Sequence, residues 1–222
     1  MYLNFFSDVY YINLDYRLDR REIFERRALE VGIVANRLSA FQPLEEDCPL
    51  LESSQGETRR RYKVGCTLSH QEVVKLAKQR KLDNVLIFED DCIFLDGFKE
   101  KAQKCVDELR GRDWDILYFG GEPNNVCTDI SPNLVTIKDG GVYCCHAYAV
   151  NHTFYDKIIN LNPHHVDVID IFLLNYPTDR RKYFLSRELL AVQDGIFSDL
   201  KNGLNEAAAG YMRGGWDKYV NK

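Results

Sequence analysis

Three consecutive acids, Glu89-Asp90-Asp91, close a continuous apolar run, Val85-Leu86-Ile87-Phe88, and apolar residues resume at Cys92-Ile93-Phe94. A short apolar run of this kind suits a strand buried on both faces, as in a parallel sheet. Adjacent carboxylates in that setting repel one another and are costly to desolvate. A hard divalent cation such as Mn²⁺ or Mg²⁺ offsets both penalties and keeps room for phosphate oxygens. The chemistry that follows is a metal–diphosphate site at the end of a central strand. A plain acidic turn between two strands is the competing reading of the same residues.

A second polar cluster, Asn13-Leu14-Asp15, ends another apolar run that starts at Val9. Ligands of open α/β sheets bind beyond the carboxyl ends of the strands, so the two clusters are expected on one rim. Arg17, Arg20 and Arg21 follow. Arginine forks match phosphate geometry, and the dipole disfavours cations at a helix start. These arginines therefore call for an anion, either a ligand or a protein carboxylate. Gly65-Cys66-Thr67-Leu68-Ser69-His70 places a glycine, a hydroxyl and an imidazole at an expected helix start, where backbone N–H groups favour an anion. Ser69 as an ordinary N-cap is the alternative. In His164-His165-Val166-Asp167-Val168-Ile169-Asp170 the two aspartates are three apart, hence on one helical face. One such acid could take the proton of an acceptor hydroxyl, and Asp167 could equally cap the helix.

The elements that must hold these groups alternate. Val9 to Leu14 reads as a strand, and Asp19 caps a helix that runs to Val31 and stops at Gly32. Val34 to Phe41 suits a short strand. Residues 42 to 62, with Pro43, Pro49, Gly56 and Arg59-Arg60-Arg61, read as a loop. A helix is expected from Thr67 or Ser69 to Arg80, a strand over 85–88 and a helix over 97–109. Trp114 to Phe119 forms a further strand closed by Gly120-Gly121. Strands at 134–137 and 147–150 follow, with helices at 154–161 and 166–176. Residues 184–192 form a strand or short helix, and the Gly-rich tail from Gly195 packs over a site or a neighbour. The expected class is α/β, with a mostly parallel central sheet flanked by helices and a looser C-terminal half.

With 222 residues the chain fits one large α/β domain: a ligand-binding half over 1–121, an acceptor-side half over 122–200 and a tail. The net charge of -5 argues against a bulk nucleic-acid binder. Seven cysteines, an odd number without a CxxC pair, read as reduced intracellular thiols, and the usual spacing of a structural zinc site is missing. No signal peptide, long apolar span or C-terminal lipidation signal is visible. A cytoplasmic protein is the expectation.

The ordered set Tyr11-Ile12-Asn13-Leu14-Asp15 with Arg17, Asp19 and Arg20, then Gly65-Cys66-x-x-Ser69-His70, Phe88-Glu89-Asp90-Asp91 and Trp114-Asp115-Ile116-Leu117-Tyr118 resembles glycosyltransferase family 25. Later stretches, Ala147-Tyr148-Ala149-Val150, His165-Val166-Asp167 and Val192-Gln193 with Phe197-Ser198-Asp199, fall where that family has comparable ones. The resemblance implies a GT-A-type, Rossmann-like fold, a UDP-sugar donor (commonly UDP-galactose), Mn²⁺ or Mg²⁺, and inverting transfer to a glycan, lipooligosaccharide or protein hydroxyl. It implies a bacterial or viral enzyme with peripheral membrane association. It implies Asp91 and Glu89 as metal ligands. It implies Asn13, Leu14, Arg17, Arg20, Gly65, Ser69, His70, Glu89 and Asp90 as donor contacts, and Asp167, or in its place Asp170, as base. Tyr16 stands where many members carry a basic residue. Two other readings are a nucleotidyltransferase, which wants a Gly-rich loop with a lysine after strand one, absent here, and a nucleotide-sugar- or carbohydrate-binding module without activity.

Overall fold

The structure, a computed structural model, describes residues 4–44, 57–163, 168–177, 182–194, 197–198, 203–204, 214 and 216–220. The first strand, β1 (Val9–Asn13), is aromatic and β-branched, and β3 (Asn84–Glu89) is buried over its first five residues. β1 pairs in parallel with β3 on one side and with β2 (Asn36–Ser39) on the other. β3 carries the acid turn and is followed at once by β4 (Cys92–Phe94). The remaining strands are β5 (Ile116–Tyr118), β6 (Glu122–Pro123), β7 (Thr128–Asp129), β8 (Leu134–Thr136), β9 (Val142–Tyr143), β10 (Ala147–Asn151), β11 (Tyr183–Ser186), β12 (Ala191–Gln193), β13 (Phe197–Ser198) and β14 (Gly203–Leu204). The main sheet has 8 strands in the order β2-β1-β3-β10-β5-β11-β8-β7. β10 and β8 run against the other six, so the expected mostly parallel direction holds with two reversals.

Alternate residues of the central strands feed two cores. Tyr10, Ile12, Val85 and Ile87 face α2 (Glu57–Gln79) through Val73, Val74 and Ala77. α4 (Tyr155–Ile159) and α5 (Ile169–Asn175) complete that layer with Ile158, Ile169 and Leu173. Tyr11, Leu86 and Phe88 face the other way, onto Phe24 and Ala28 of α1 (Leu18–Glu30). There they also meet Phe98, Ala102, Cys105, Val106 and Leu109 of α3 (Phe98–Leu109), the stripe expected at helical spacing. Among the described residues no helix is long and apolar enough to cross a membrane.

The structure corrects two expectations. α2 begins at Glu57, so residues 57–62, expected as loop, are helical, while 45–56 lie outside the described residues. Residues 184–192 are divided between β11 and β12, and β12 leaves the main sheet to pair antiparallel with β4, bringing Gln193 opposite Cys92. At the described end of the tail Trp216 and Val220 are buried in the core beneath the sheet, with the indole N–H donating to the carbonyl of Arg187 at 3.0 Å; most of the tail, expected over a site or a neighbour, lies outside the described residues.

Candidate active site

A cavity of about 360 Å³ opens at the carboxyl ends of β1 and β3. Its wall includes Asn13, Leu14, Arg20, Gly65, Ser69, His70, Glu89, Asp90 and Asp91, which are the sequence candidates in one place. Ile12, Tyr16, Ala40, Phe41, Gln42, Pro43, Arg61, Tyr62, Cys66 and Gln193 complete it. Arg17 and Asp170 are not part of this wall, and Asp167 lies outside the described residues.

The three adjacent acids have three different environments. Asp90 is satisfied: one oxygen accepts from Asn13 Nδ2 at 2.7 Å and the other from Arg20 at 2.9 Å. Burial raises its pKa, an effect that Arg20 and Asn13 oppose. Glu89 accepts from Gln193 Nε2 at 3.3 Å and meets His70 Nε2 at 3.3 Å. Burial opposes its charge, but His70, His146 and Arg20 keep it below the ordinary carboxylate range. Asp91 differs, because its Oδ1 is buried with no hydrogen-bond partner. Burial, then the field of Glu89, pushes Asp91 well up. A buried carboxylate oxygen left unmatched is costly unless a cation or a proton meets it.

The arginines find protein carboxylates. Arg17 forks onto Asp19, and this hydrogen bond is the main cause that lowers Asp19 to about 2. Asp19 is therefore not the cap of α1, whose N-cap position is Arg17 without a side-chain bond. Arg21 pairs with Glu25 at 3.0 Å, one turn on. Arg20 turns to the acid turn, nearly buried, with Asp90 at 2.9 Å and Asp91 at 3.9 Å. Arg37 of β2, not singled out from its sequence context, donates to Asn13 Oδ1 at 3.0 Å and pairs with Asp15. Asn13 is thus held in register to brace Asp90.

Gly65 to His70 lie inside α2, so no helix start offers N–H groups there; the early start at Glu57 removes that reading. Gly65 has a packing role instead. A Cβ at that position would stand 2.5 Å from the carbonyl oxygen of Phe41, so glycine lets the 41–43 segment lie against the helix. Ser69 completes the junction, donating to Gly65 O at 2.6 Å and accepting from Phe41 N at 2.8 Å. His70 Nδ1 meets Tyr148 Oη at 2.9 Å.

The C-terminal half closes the acid turn from behind. Asp194 N donates to Asp91 O at 2.7 Å, and Asp194 accepts from Arg27 of α1 at 2.6 Å. In the sequence Gln193 enters only through the family resemblance, and Asp194 carries no signal of its own. Asp170, in the first turn of α5, accepts from the backbone N–H of Cys144 at 3.0 Å and of Ile171 at 2.8 Å. Burial raises its pKa.

A family model described as glycosyltransferase family 25 (LPS biosynthesis protein) matches residues 6–131. The chain belongs to glycosyltransferase family 25. Among relatives of this family 25 chain, the inactive glycosyltransferase 25 family member 3 of Mus musculus is 27% identical over 210 residues, which cover 84% of this chain and 35% of that protein. Procollagen galactosyltransferase 1-A of Xenopus laevis is 29% identical over 177 residues, covering 71% of this chain and 29% of that protein. The procollagen lysyl hydroxylase and glycosyltransferase of Acanthamoeba polyphaga mimivirus is 30% identical over 116 residues, covering 49% of this chain and 13% of that protein. The family 25 chain spans about a third or less of the length of these curated relatives.

The hard cation that membership in family 25 suggests fits the residues present. Asp91 offers a buried oxygen without a partner, and Glu89 offers a second carboxylate beside it. Both are the oxygen donors that Mn²⁺ and Mg²⁺ prefer. Asp90 is the poorer donor, because Asn13 and Arg20 already occupy both its oxygens.

Proposed function

We propose that this chain is an inverting hexosyltransferase, moving galactose or glucose from a UDP-sugar to a hydroxyl of a glycan, lipooligosaccharide or protein acceptor. The observation that carries the reading is the unmatched, buried oxygen of Asp91 at the wall of a cavity that also holds Glu89 and Arg20. Mn²⁺ or Mg²⁺, held by Asp91 and Glu89, would neutralise the diphosphate and ease its departure. The chain's own residues supply the rest. Arg20, fixed by Asp90, adds positive potential at the wall where the leaving group's charge develops. Tyr16, Phe41 and Tyr62 offer aromatic faces for the base. Inversion needs one base on the acceptor side. That role falls to Asp167 or, in its place, Asp170, whose raised pKa suits proton acceptance. Galactose is the first donor to try, since relatives are named procollagen galactosyltransferases.

The test is UDP release from UDP-galactose and UDP-glucose, with an acceptor panel, with and without EDTA. EDTA-sensitive release that disappears in Asp91→Asn is expected. Release that ignores both would overturn the reading. Asp167→Asn or Asp170→Asn should lower turnover by about 10²–10⁴-fold with donor affinity kept, and the variant that does so names the base. A second reading, donor binding without transfer, is favoured by the mouse relative named inactive. Calorimetric UDP-sugar binding with no release under any acceptor would select it.

A further inference from the structure

We infer that Cys66, His70 and Glu89 form a second cation site in the cavity, one that takes a thiophilic ion of the Zn²⁺ kind. The three side chains bring a sulfur, an imidazole nitrogen and a carboxylate oxygen within 4.8 Å of one another. Cys66 and His70 are four apart on α2, which stacks them on one face a turn apart. Glu89 comes from the end of β3. A site whose donors stand on a helix and a strand is held more firmly than one built on loops.

The donor spacing is compatible with a chelate. His70 Nε2 and Glu89 Oε1 are 3.3 Å apart. A charge-assisted N–H···O bond closes to about 2.7–2.9 Å. Zinc bonds of about 2.0–2.2 Å at tetrahedral angles set nitrogen and oxygen donors roughly 3.3–3.5 Å apart. The contact is a long hydrogen bond, and it stands at the donor spacing a zinc ion would need. Tyr148 occupies Nδ1 of His70 at 2.9 Å, the outer-shell contact that fixes a ligating imidazole and leaves Nε2 to the ion. All three donors line the cavity, so a fourth position of a four-coordinate ion faces a ligand or water. The donor set also sorts ions: sulfur with imidazole favours zinc, whereas Asp91 offers only oxygen. Spacing of the C-x₂-C type does not find this site, because one turn of helix and a distant strand end supply it.

Zinc binding itself does not depend on the proposed donor. One consequence does rest on that reading: Glu89 is common to both cation sites, so zinc at Cys66 and His70 draws it away from a hard ion at Asp91 and opposes manganese-supported UDP binding.

The test is titration of the full chain with ZnCl₂ by calorimetry and with CoCl₂ by absorbance. Wild type should bind one ion and give a sulfur-to-cobalt charge-transfer band. Cys66→Ser should lose that band and weaken zinc by at least about 10-fold, the minimum set by the cost of losing even an outer-shell partner. Glu89→Gln should weaken zinc similarly with the sulfur band intact, which keeps the test decisive should Cys66→Ser not fold. Tyr148→Phe should weaken zinc about 10–100-fold. Asp91→Asn, which removes a nearby charge but no zinc donor, should lower zinc affinity less than Glu89→Gln does. A sulfur band that persists undiminished in Cys66→Ser, or zinc affinity in Asp91→Asn that falls as far as in Glu89→Gln, would overturn the site. Loss of Mn²⁺-supported UDP binding in Asp91→Asn with zinc binding retained would separate the two readings.

Discussion

Replacing Arg20 by methionine keeps the stem that packs against α1's neighbours and deletes the fork. The fork stands 2.9 Å from one oxygen of Asp90 and 3.9 Å from one of Asp91, with both carboxylates nearly buried. At an effective dielectric of about 20, those distances give on the order of 4–6 kcal/mol of gross attraction each. Desolvation offsets most of that while the pair is intact. Once the guanidinium is gone the attraction disappears while the desolvation cost remains, and three adjacent carboxylates face each other with Asn13 still donating to one of them. The expected cost is therefore that of breaking a buried pair, about 3–5 kcal/mol. For a chain of this size that is a fall in Tm of roughly 6–20 °C. Thermal unfolding followed by circular dichroism at pH 7 in EDTA measures it. Asp90→Leu in the same background should recover part of the loss, because the buried charge goes with its partner. A fall of under about 3 °C, or strictly additive effects of the two substitutions, would show that Arg20 is not the counter-charge of the acid turn.

Further outcomes follow from the same geometry. Asp91 titrates above 3.8 in the folded chain, so its folded pKa exceeds its unfolded one; the stability it contributes is complete below about pH 4 and is lost as pH rises through the folded value. Wild type should thus lose stability relative to Asp91→Asn between pH 4 and 7 in EDTA, and Mn²⁺ should abolish the difference; parallel pH profiles would refute this. Gly65→Ala puts a Cβ against the carbonyl of Phe41 and should cost about 1–3 kcal/mol, with weaker UDP binding, as read by denaturant midpoint and calorimetry. Trp216→Ala should cost about 3–5 kcal/mol in the same assay, since the indole is 1% exposed; a surface-like loss would detach the C-terminal turn from the core.

The strands that carry the cavity were legible because their signal is local. Tyr10 to Asn13 and Val85 to Phe88 are buried on both faces, and an uninterrupted apolar run admits little else. The amphipathic stripe of α3 was legible for the same reason. The start of α2 was not, since Arg59-Arg60-Arg61 and the glycine and prolines before it look like a loop, while the packing of its later turns against β1 and β3 is long-range. The acid cluster was evident, but the division of labour within it was not. Nothing in Glu89-Asp90-Asp91 says that Arg20 and Asn13 would satisfy the middle residue and leave the last unmatched. That depends on a helix and a strand 70 and 77 residues upstream. Arg37 escaped notice because its partner is distant in sequence and its own neighbours are ordinary.

β12 pairs with the strand that leaves the acid turn, and Asp194 bolts that turn to α1 through Arg27. The family match ends at residue 131, some sixty positions short of this clasp. A fragment trimmed to the matched region would keep every acid of the motif and lose what holds them still. Expression of such a piece should yield a chain with the right letters and a slack binding pocket, so any dissection of this protein into donor and acceptor halves has to leave the segment through Asp194 attached to the first.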